Sequence, residues 1–538
     1  MRRIIQLILY IVIILSPLPL YSQFKVNAAP IPPGVHLGGL PLSDVKEIET
    51  ARAHLEQVYK TPVEVWFNDQ RLVLKPEEID FYIDADQMVA EASQYLEGPA
   101  FIDIAVRHAL GIEQRQRDIP VRYMLNVEAL KTWLNTIAAD YNHEPQRPRA
   151  VTPDQRWVEE TPVVVNIDAT LPQGFVGTYR RDWLWVDGKP GYELDVEASI
   201  LPLVQALISD TDRSTRLVLI ETPPPIPSMT DLEEVLDNYL MNFPGFAAIY
   251  VHDLRHRQEA HVDTEVAFSG MSTLKIGIVT AVMTLIDGLP ANSQASTELG
   301  QWMDFALGES NNYAANLLVQ YLGDGSIPAG ASQFTNFSRQ LGLDSTYMQS
   351  GYDAQTQLPQ IPTPGNQRED WQTNPDTNLQ STPLDMGRLL SAIYDCTQNT
   401  GFLIDTFGQG ENPALTPEEC HYILFYLSHD EFEELLWAGL PQPRDAWIAH
   451  KHGFAFESHS DVAIIWGPTG PYVVSAFLYR RGWLDWNTSN QAMKDLSRIT
   501  WNFFEFQKAY LDAEETATWA TPIELLVPPA YVRINASN

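Results

Sequence analysis

Phe268-Ser-Gly-Met-Ser-Thr-Leu-Lys-Ile-Gly-Ile-Val-Thr-Ala-Val-Met283 is the stretch around which the rest of the chain is organised. It reads as the end of a strand followed by a helix whose first turn carries Ser272 and Lys275. Residues three apart share a helix face, so the Lys275 amine can stand beside the Ser272 hydroxyl. A serine hydroxyl is a poor nucleophile until a base takes its proton, and a desolvated lysine beside a second cation can be that base. The N–H groups of the helix start suit an oxyanion. Spacing alone is weak: Ser22-Gln-Phe-Lys25 and Ser43-Asp-Val-Lys46 repeat it without the apolar helix behind. A helix N-cap is the ordinary use of such a serine.

The chain has 538 residues, enough for roughly three domains with their own cores. With 45% hydrophobic and 19% charged residues it has the composition of a globular protein. A net charge of −34 argues against nucleic acid or an anionic membrane surface as partner. Met1-Arg-Arg3 followed by the apolar run Ile4–Leu15 has the layout of a signal peptide, or of an uncleaved N-terminal membrane anchor, over residues 1–22. Either places the protein outside the cell or in its envelope. Cys396 and Cys420 are the two cysteines. In an exported chain they can form a disulfide worth up to about 3 kcal/mol, the alternative being two buried thiols. So few thiols exclude a thiolate zinc site, and no metal or organic cofactor is expected.

Along the chain, helical spacing marks 44–59, and Val63–Phe67 with Arg71–Leu74 reads as a hairpin across Asn68-Asp-Gln70, followed by a short strand at Ile79–Ile83. A second set follows: a helix over 126–141, a strand at Pro162–Ile167, a helix over 194–209 and a strand at Arg216–Ile220. Two small α+β modules are therefore expected, at 30–100 and 101–222. Glu221-Thr-Pro-Pro-Pro-Ile-Pro227 opens a proline-rich linker at 223–230. Beyond it, a hairpin at 245–262, several helices, three strands between 447 and 479 and a helix over 491–511 predict an α+β domain at 231–515. One antiparallel sheet would be shared by its two ends, with a helical lobe inserted between them. Residues 516–538 form a tail. His252, His256 and His261 sit on a hairpin and suggest no metal site. Ser350–Asn378, rich in Gln, Asn and Pro, is a long loop of the kind that is functional or disordered.

The Pro-free motifs Gly34-Val…Gly38-Gly39-Leu40 and Gly191-Tyr-Glu-Leu-Asp-Val196 are similar to peptidoglycan-binding modules found ahead of some wall transpeptidases and vancomycin-resistance-associated proteins. The resemblance implies peptidoglycan as a partner; a spacer without ligand is the alternative. Further on, Ser272-Thr-Leu-Lys275, Ser310-Asn-Asn312 and Lys451-His-Gly453 stand in order at domain-scale spacing, and Ser381-Thr-Pro-Leu-Asp-Met386 accompanies them. This set resembles the class A serine β-lactamases and the penicillin-binding acyltransferases.

The resemblance implies catalytic roles for Ser272, Lys275, Ser310 and Lys451. Ser272 would be acylated, Lys275 is a candidate base, and Ser310 would relay a proton to the leaving nitrogen. Lys451 would attract a substrate carboxylate, with Asn312, His452 and Gly453 binding substrate. The N–H groups of Ser272 and Phe454 would form the oxyanion hole. Two departures stand out. His452 occupies a position where a hydroxyl is usual. The family's deacylating glutamate would fall on Tyr347, with Asp353 the next acid and Glu369 or Asp370 farther along the loop. Glu369 is the expected candidate for deacylation. The implied function is an exported hydrolase of β-lactam or acyl-D-alanine amides; a wall D-alanyl-D-alanine peptidase with slow deacylation and a non-catalytic wall-binding protein are the alternatives.

Overall fold

The computed structural model describes residues 30–151, 184–286, 294–411, 413–430, 432–441, 447–467 and 469–507. The expected signal sequence or anchor, the strand at Pro162–Ile167, the end of the last helix and the tail lie outside these residues. The described chain forms two compact units, one from 30–146 and 188–225 and the other from 147–151, 184–187 and the described residues from 226 onward.

In the first unit, the expected boundary at residue 100 falls inside a single core. Strand Ser214–Arg216 pairs in parallel with Val63–Phe67, which pairs with Gln70–Leu74. Strand Val35–Leu37 likewise pairs with Arg117–Ile119. Leu55, Val65 and Leu74 share that core with Leu130, Leu134, Leu203 and Leu207. The two expected modules thus contribute to one shared core within one compact unit. The hairpin turns at Asn68 as expected, in the left-handed region. Of the strand expected at Ile79–Ile83, Tyr82–Ile83 forms and Ile79 ends a 3-10 turn over Pro76–Ile79, and 214–222 hold two short strands instead of one.

The second unit begins before the linker. Strands Arg149–Val151 and Leu184–Val186 form a short antiparallel ladder whose Trp185 packs on Phe503 and Phe506, within the range expected for the second module. Helix α1 (Met229–Leu240) starts on a capping box from Ser228 and Asp231. Strands β1 (Phe246–Asp253) and β2 (Gln258–Val262) follow. Helix α2 (Leu274–Met283) comes next, then α3 (Asn312–Leu322), α4 (Pro383–Thr397) and α5 (Pro417–Leu427). Strands β3 (Trp447–Phe454), β4 (Ser458–Gly467) and β5 (Gly470–Tyr479) precede the closing helix α6 (Trp486–Gln507). The sheet runs β2-β1-β5-β4-β3, antiparallel throughout, so the first and last segments share it and β3 is its edge.

Side chains alternate across a strand, and here both faces are covered. Phe246, Ala248 and Tyr250 of β1 face the helical lobe, while Ala247, Ile249 and Val251 face α1 and α6. Every residue of α2 is buried, so this helix runs through the core rather than over it. Cys396 at the end of α4 is bridged to Cys420 in α5.

The long loop is ordered by its own amides. Gln349 donates to the carbonyls of Pro359 and Thr377 at 2.8 and 2.7 Å, and Asn378 to that of Thr356 at 2.8 Å. Asn366 donates to Ile361 O and to Gln380 Oε1, both at 2.8 Å. These side chains supply the partners that regular structure would otherwise give the backbone.

The disulfide closes a 24-residue separation. Replacing both cysteines by serine is expected to lower the unfolding free energy by about 3 kcal/mol, seen as a lower urea midpoint. An unchanged midpoint would show that α4 and α5 hold each other by packing alone.

Candidate active site

Ser272 lies in a single 3-10 turn, Met271–Thr273, that feeds directly into α2. Its predecessor Met271 has φ +49°, an uncommon conformation for a non-glycine residue. Thr273 Oγ1 donates to Gly270 O at 2.6 Å, and Tyr352 Oη to Met271 O at 3.1 Å, so the turn is tied on both sides.

Lys275 is fully buried one turn deeper. Its Nζ lies 3.1 Å from Ser272 Oγ, 2.5 Å from Ser310 O, 3.3 Å from Ser310 Oγ and 2.8 Å from Asn312 Oδ1. The two shortest contacts are carbonyl oxygens, which only accept. A neutral amine has two N–H groups for them and one lone pair left for the hydroxyl of Ser272. Burial, and then the charge of Lys451, push Lys275 down to about 7; Asp353 and Asp430 oppose them. The Tyr352 ring lies 4.8 Å from the same nitrogen. Ser310, with φ +56°, turns its carbonyl onto the lysine just before Asn311 caps α3 through a 3.0 Å bond from Ala314 N.

The edge strand β3 runs beside this turn. A Cβ on Gly453 would lie 2.9 Å from Met271 Cβ, 3.3 Å from Ser272 N and 2.6 Å from Ser460 Oγ, so only glycine lets the strand approach. Phe454 follows, with its ring 59% exposed at the cleft.

Lys451 differs from expectation. It is fully buried and donates to Asp430 Oδ2 at 2.9 Å. His452 Nδ1 lies 2.9 Å from the same oxygen, and its ring packs on Phe432 at 4.4 Å. Burial would raise Asp430, but the charges of His450 and Lys451 and the bond from His452 hold it well below the usual carboxylate range. Burial pulls Lys451 down and Asp430 opposes it. The charge of Lys451 thus has an internal counter-ion, because an unpaired buried ammonium would be too costly.

Ser272 opens into a cavity of about 520 Å³ lined by Asn312, Tyr352, Asp353, residues 373–377 and Phe454–Ser458. Glu369 is absent from this lining. Arg368 pairs with Glu265 and Asp370, and Trp371 stacks on Phe246 at 4.4 Å, anchoring that part of the loop elsewhere. The acid brought to the site is Asp353. Its two carboxylate oxygens accept from Asn312 Nδ2 at 3.2 and 3.1 Å. Asn316, one turn along α3, holds Tyr352 N and O at 2.7 and 3.1 Å and so sets the position of Asp353. Sequence reasoning named Asp353 only in passing and missed Tyr352, Asn316 and Asp430. The Asn312-Tyr-Ala-Ala-Asn316 spacing, two asparagines on one helix face, was the available signal.

His252, His256 and His261 do not converge: they face Ser391, Asp253, and Glu259 with Thr264, respectively. Among the described residues no group of three or more His, Cys, Asp or Glu side chains is gathered to hold a metal ion.

Residues 286–504 match the model of the Beta-lactamase enzyme family. The matched span lies within the second unit, which therefore carries a β-lactamase-like domain. The match begins after α2, so Ser272 and Lys275 lie ahead of it and rest on the geometry above. Among solved structures, the chain is similar to a mutant of the last common ancestor of Gram-negative bacteria class A β-lactamase (21% identity, 51% of this chain and 98% of that one, TM-score 0.38). It is similar to a β-lactamase from Streptosporangium roseum (17%, 50% and 97%, TM-score 0.37). A mutant of PBP-A, solved as an acyl-enzyme complex with penicillin G, is also similar (21%, 52% and 99%, TM-score 0.38). No curated protein matches the chain.

Two outcomes follow for this β-lactamase-like domain. If neutral Lys275 takes the serine proton, the acylation rate should rise with pH through about 7 and fall below it. Rates of covalent labelling between pH 5 and 9 would measure this; a flat profile would reject Lys275 as the base. Asp430→Ala leaves Lys451 buried without its counter-ion and should cost about 3–5 kcal/mol of stability in a urea melt.

Proposed function

We propose that this protein is an acyl-serine hydrolase that opens β-lactam rings or related acyl-D-alanine amides through Ser272. The observation that carries the reading is the Lys275 amine, 3.1 Å from Ser272 Oγ, with two carbonyl oxygens engaging its protons. In the reaction, Ser272 Oγ attacks the carbonyl carbon while Lys275 accepts the hydroxyl proton. Negative charge develops on the carbonyl oxygen, facing the N–H groups of Ser272 and Phe454; one such donor typically contributes about 3 kcal/mol. The Ser310 hydroxyl, 3.3 Å from Lys275 Nζ, passes a proton to the leaving nitrogen as the carbon–nitrogen bond breaks. Asn312 holds the substrate amide.

Asp353, bonded to Asn312, is the carboxylate assigned to activating the deacylating water. Its oxygens are spent on Asn312 Nδ2 in the free protein, and this favours a second reading, a D-alanyl-D-alanine peptidase whose acyl-enzyme turns over slowly. The N-terminal segment and first unit are assigned to export and to holding the enzyme at peptidoglycan, on the motif resemblance alone.

Mass spectrometry after incubation with a fluorescent penicillin is the test. A covalent adduct is expected on the wild-type chain, none on Ser272→Ala, and acylation at least about 100-fold slower in Lys275→Ala. Asp353→Asn should prolong the adduct's lifetime, and Glu369→Gln should leave it unchanged. Rapid multiple turnover of nitrocefin favours the lactamase, a single stoichiometric burst the peptidase. Absence of any adduct on the wild type would leave a non-catalytic wall-binding protein.

A further inference from the structure

We propose that the cleft selects substrates with a positive charge, an ammonium group, on the acyl part that stays attached to Ser272. The inference rests on the acyl-serine reading and deepens it to a substrate class.

The cavity at Ser272 is lined by Phe454–Ser458, Asn312 and Asp353 but by neither Lys451 nor Ser310. Ser310 serves the leaving nitrogen, so this cavity receives the acyl side. Its wall holds three carboxylates, Asp353, Asp376 and Glu457, and no lysine, arginine or histidine. Each acid is fixed by neutral donors. Asp376 Oδ1 accepts from Asn378 N at 2.8 Å, while its own N donates to Ser269 Oγ at 2.9 Å. Glu457 accepts from Asn374 Nδ2 at 3.3 Å and from Gly482 N, and Asp353 from Asn312. Among the described residues no lysine or arginine forms an ion pair with any of the three; Arg480, next to the lining Tyr479, pairs with Asp485. Lys451, the cation expected to attract an anionic substrate, and His452 beside it are turned onto Asp430.

A second, independent feature points the same way. Phe454 and Phe456 line the cavity with rings 59% and 67% exposed, and Phe456 stacks on Trp483, itself 58% exposed. Aromatic faces beside carboxylates bind an ammonium by the ring quadrupole together with charge. They have no comparable attraction for a carboxylate. A peptide amine of a diamino acid and the amino group of a β-lactam side chain both meet this description.

The experiment uses the full chain and three penicillins that share the bicyclic ring and its carboxylate. Benzylpenicillin has a neutral side chain, ampicillin an ammonium and carbenicillin a carboxylate. Second-order acylation constants come from competition against a fluorescent penicillin. Ampicillin is expected to acylate about tenfold or more faster than carbenicillin at low ionic strength, with benzylpenicillin between them and the ratio shrinking as salt is added. The ratio should collapse towards one in the Asp376→Asn, Glu457→Gln double variant. The salt dependence of the wild type is independent of whether that variant folds. Equal constants for the three, a salt-independent ratio, or a ratio unchanged in a folded double variant would each overturn the charge selection while leaving the acyl-serine reading intact. No adduct with any of them would overturn both.

Discussion

A buried lysine nitrogen with four oxygens around it is the constraint on which the catalytic unit depends. The oxygens around it accept protons, while desolvation and then the charge of Lys451 pull the amine towards its neutral form. Such a site needs a helix buried on every side. Alpha helix α2 is that helix, packed between the sheet and the surrounding lobe, and Lys275 is the one charged side chain along it. An exposed helix could place serine and lysine at the same spacing, but water would return the amine to its ordinary proton affinity. Depth, not spacing, makes Lys275 a base.

That depth creates a second problem, because Lys451 is also buried and its charge acts on Lys275. Asp430 solves it. It neutralises Lys451 locally while the remaining field still lowers Lys275. Asp430 follows α5, whose Cys420 is bridged to α4, and α4 packs against the sheet. The position of the counter-ion is therefore held by the frame of the lobe. His452 shares the same carboxylate, which explains how an imidazole is accommodated where a hydroxyl is usual: it serves Asp430 first.

The sequence made the frame legible because the frame follows local rules. The hairpin at 246–262, the three closing strands and the capped helices all carry short-range signals, and the three motifs lie on the elements expected for them. What sequence could not show was set by contacts far apart along the chain. Asp353 reaches Asn312 across 41 positions and Asp430 reaches Lys451 across 21. The single core of the first unit depends on Ser214–Arg216 pairing with Val63–Phe67, some 150 residues earlier. Counting along the loop led to Tyr347 and left Glu369 as an acid farther on, but Trp371 stacking on Phe246 decides where that segment lies. Counting fails in a loop because its path is chosen by side-chain bonds that have no period.

The loop's composition is the final link between chain and chemistry. A segment from Gln349 to Asn378 with no regular structure would leave many backbone groups unpaired, yet glutamine and asparagine amides bridge its strands of chain from within. Those bonds involve side chains that point inward, so they constrain the path without fixing what the cavity-facing residues must be. Gln357 and Asp376 are free to differ chemically while the path persists, whereas Asp353 is held on Asn312. The packed helix thus holds the nucleophile and its base, and the amide-stitched loop holds Asp353 and Asp376 in the cavity wall. On the proposed selectivity, a change of charge at Asp376 alters which acyl group is welcome, and the proton affinity of the lysine stays set by burial, Lys451, Asp353 and Asp430.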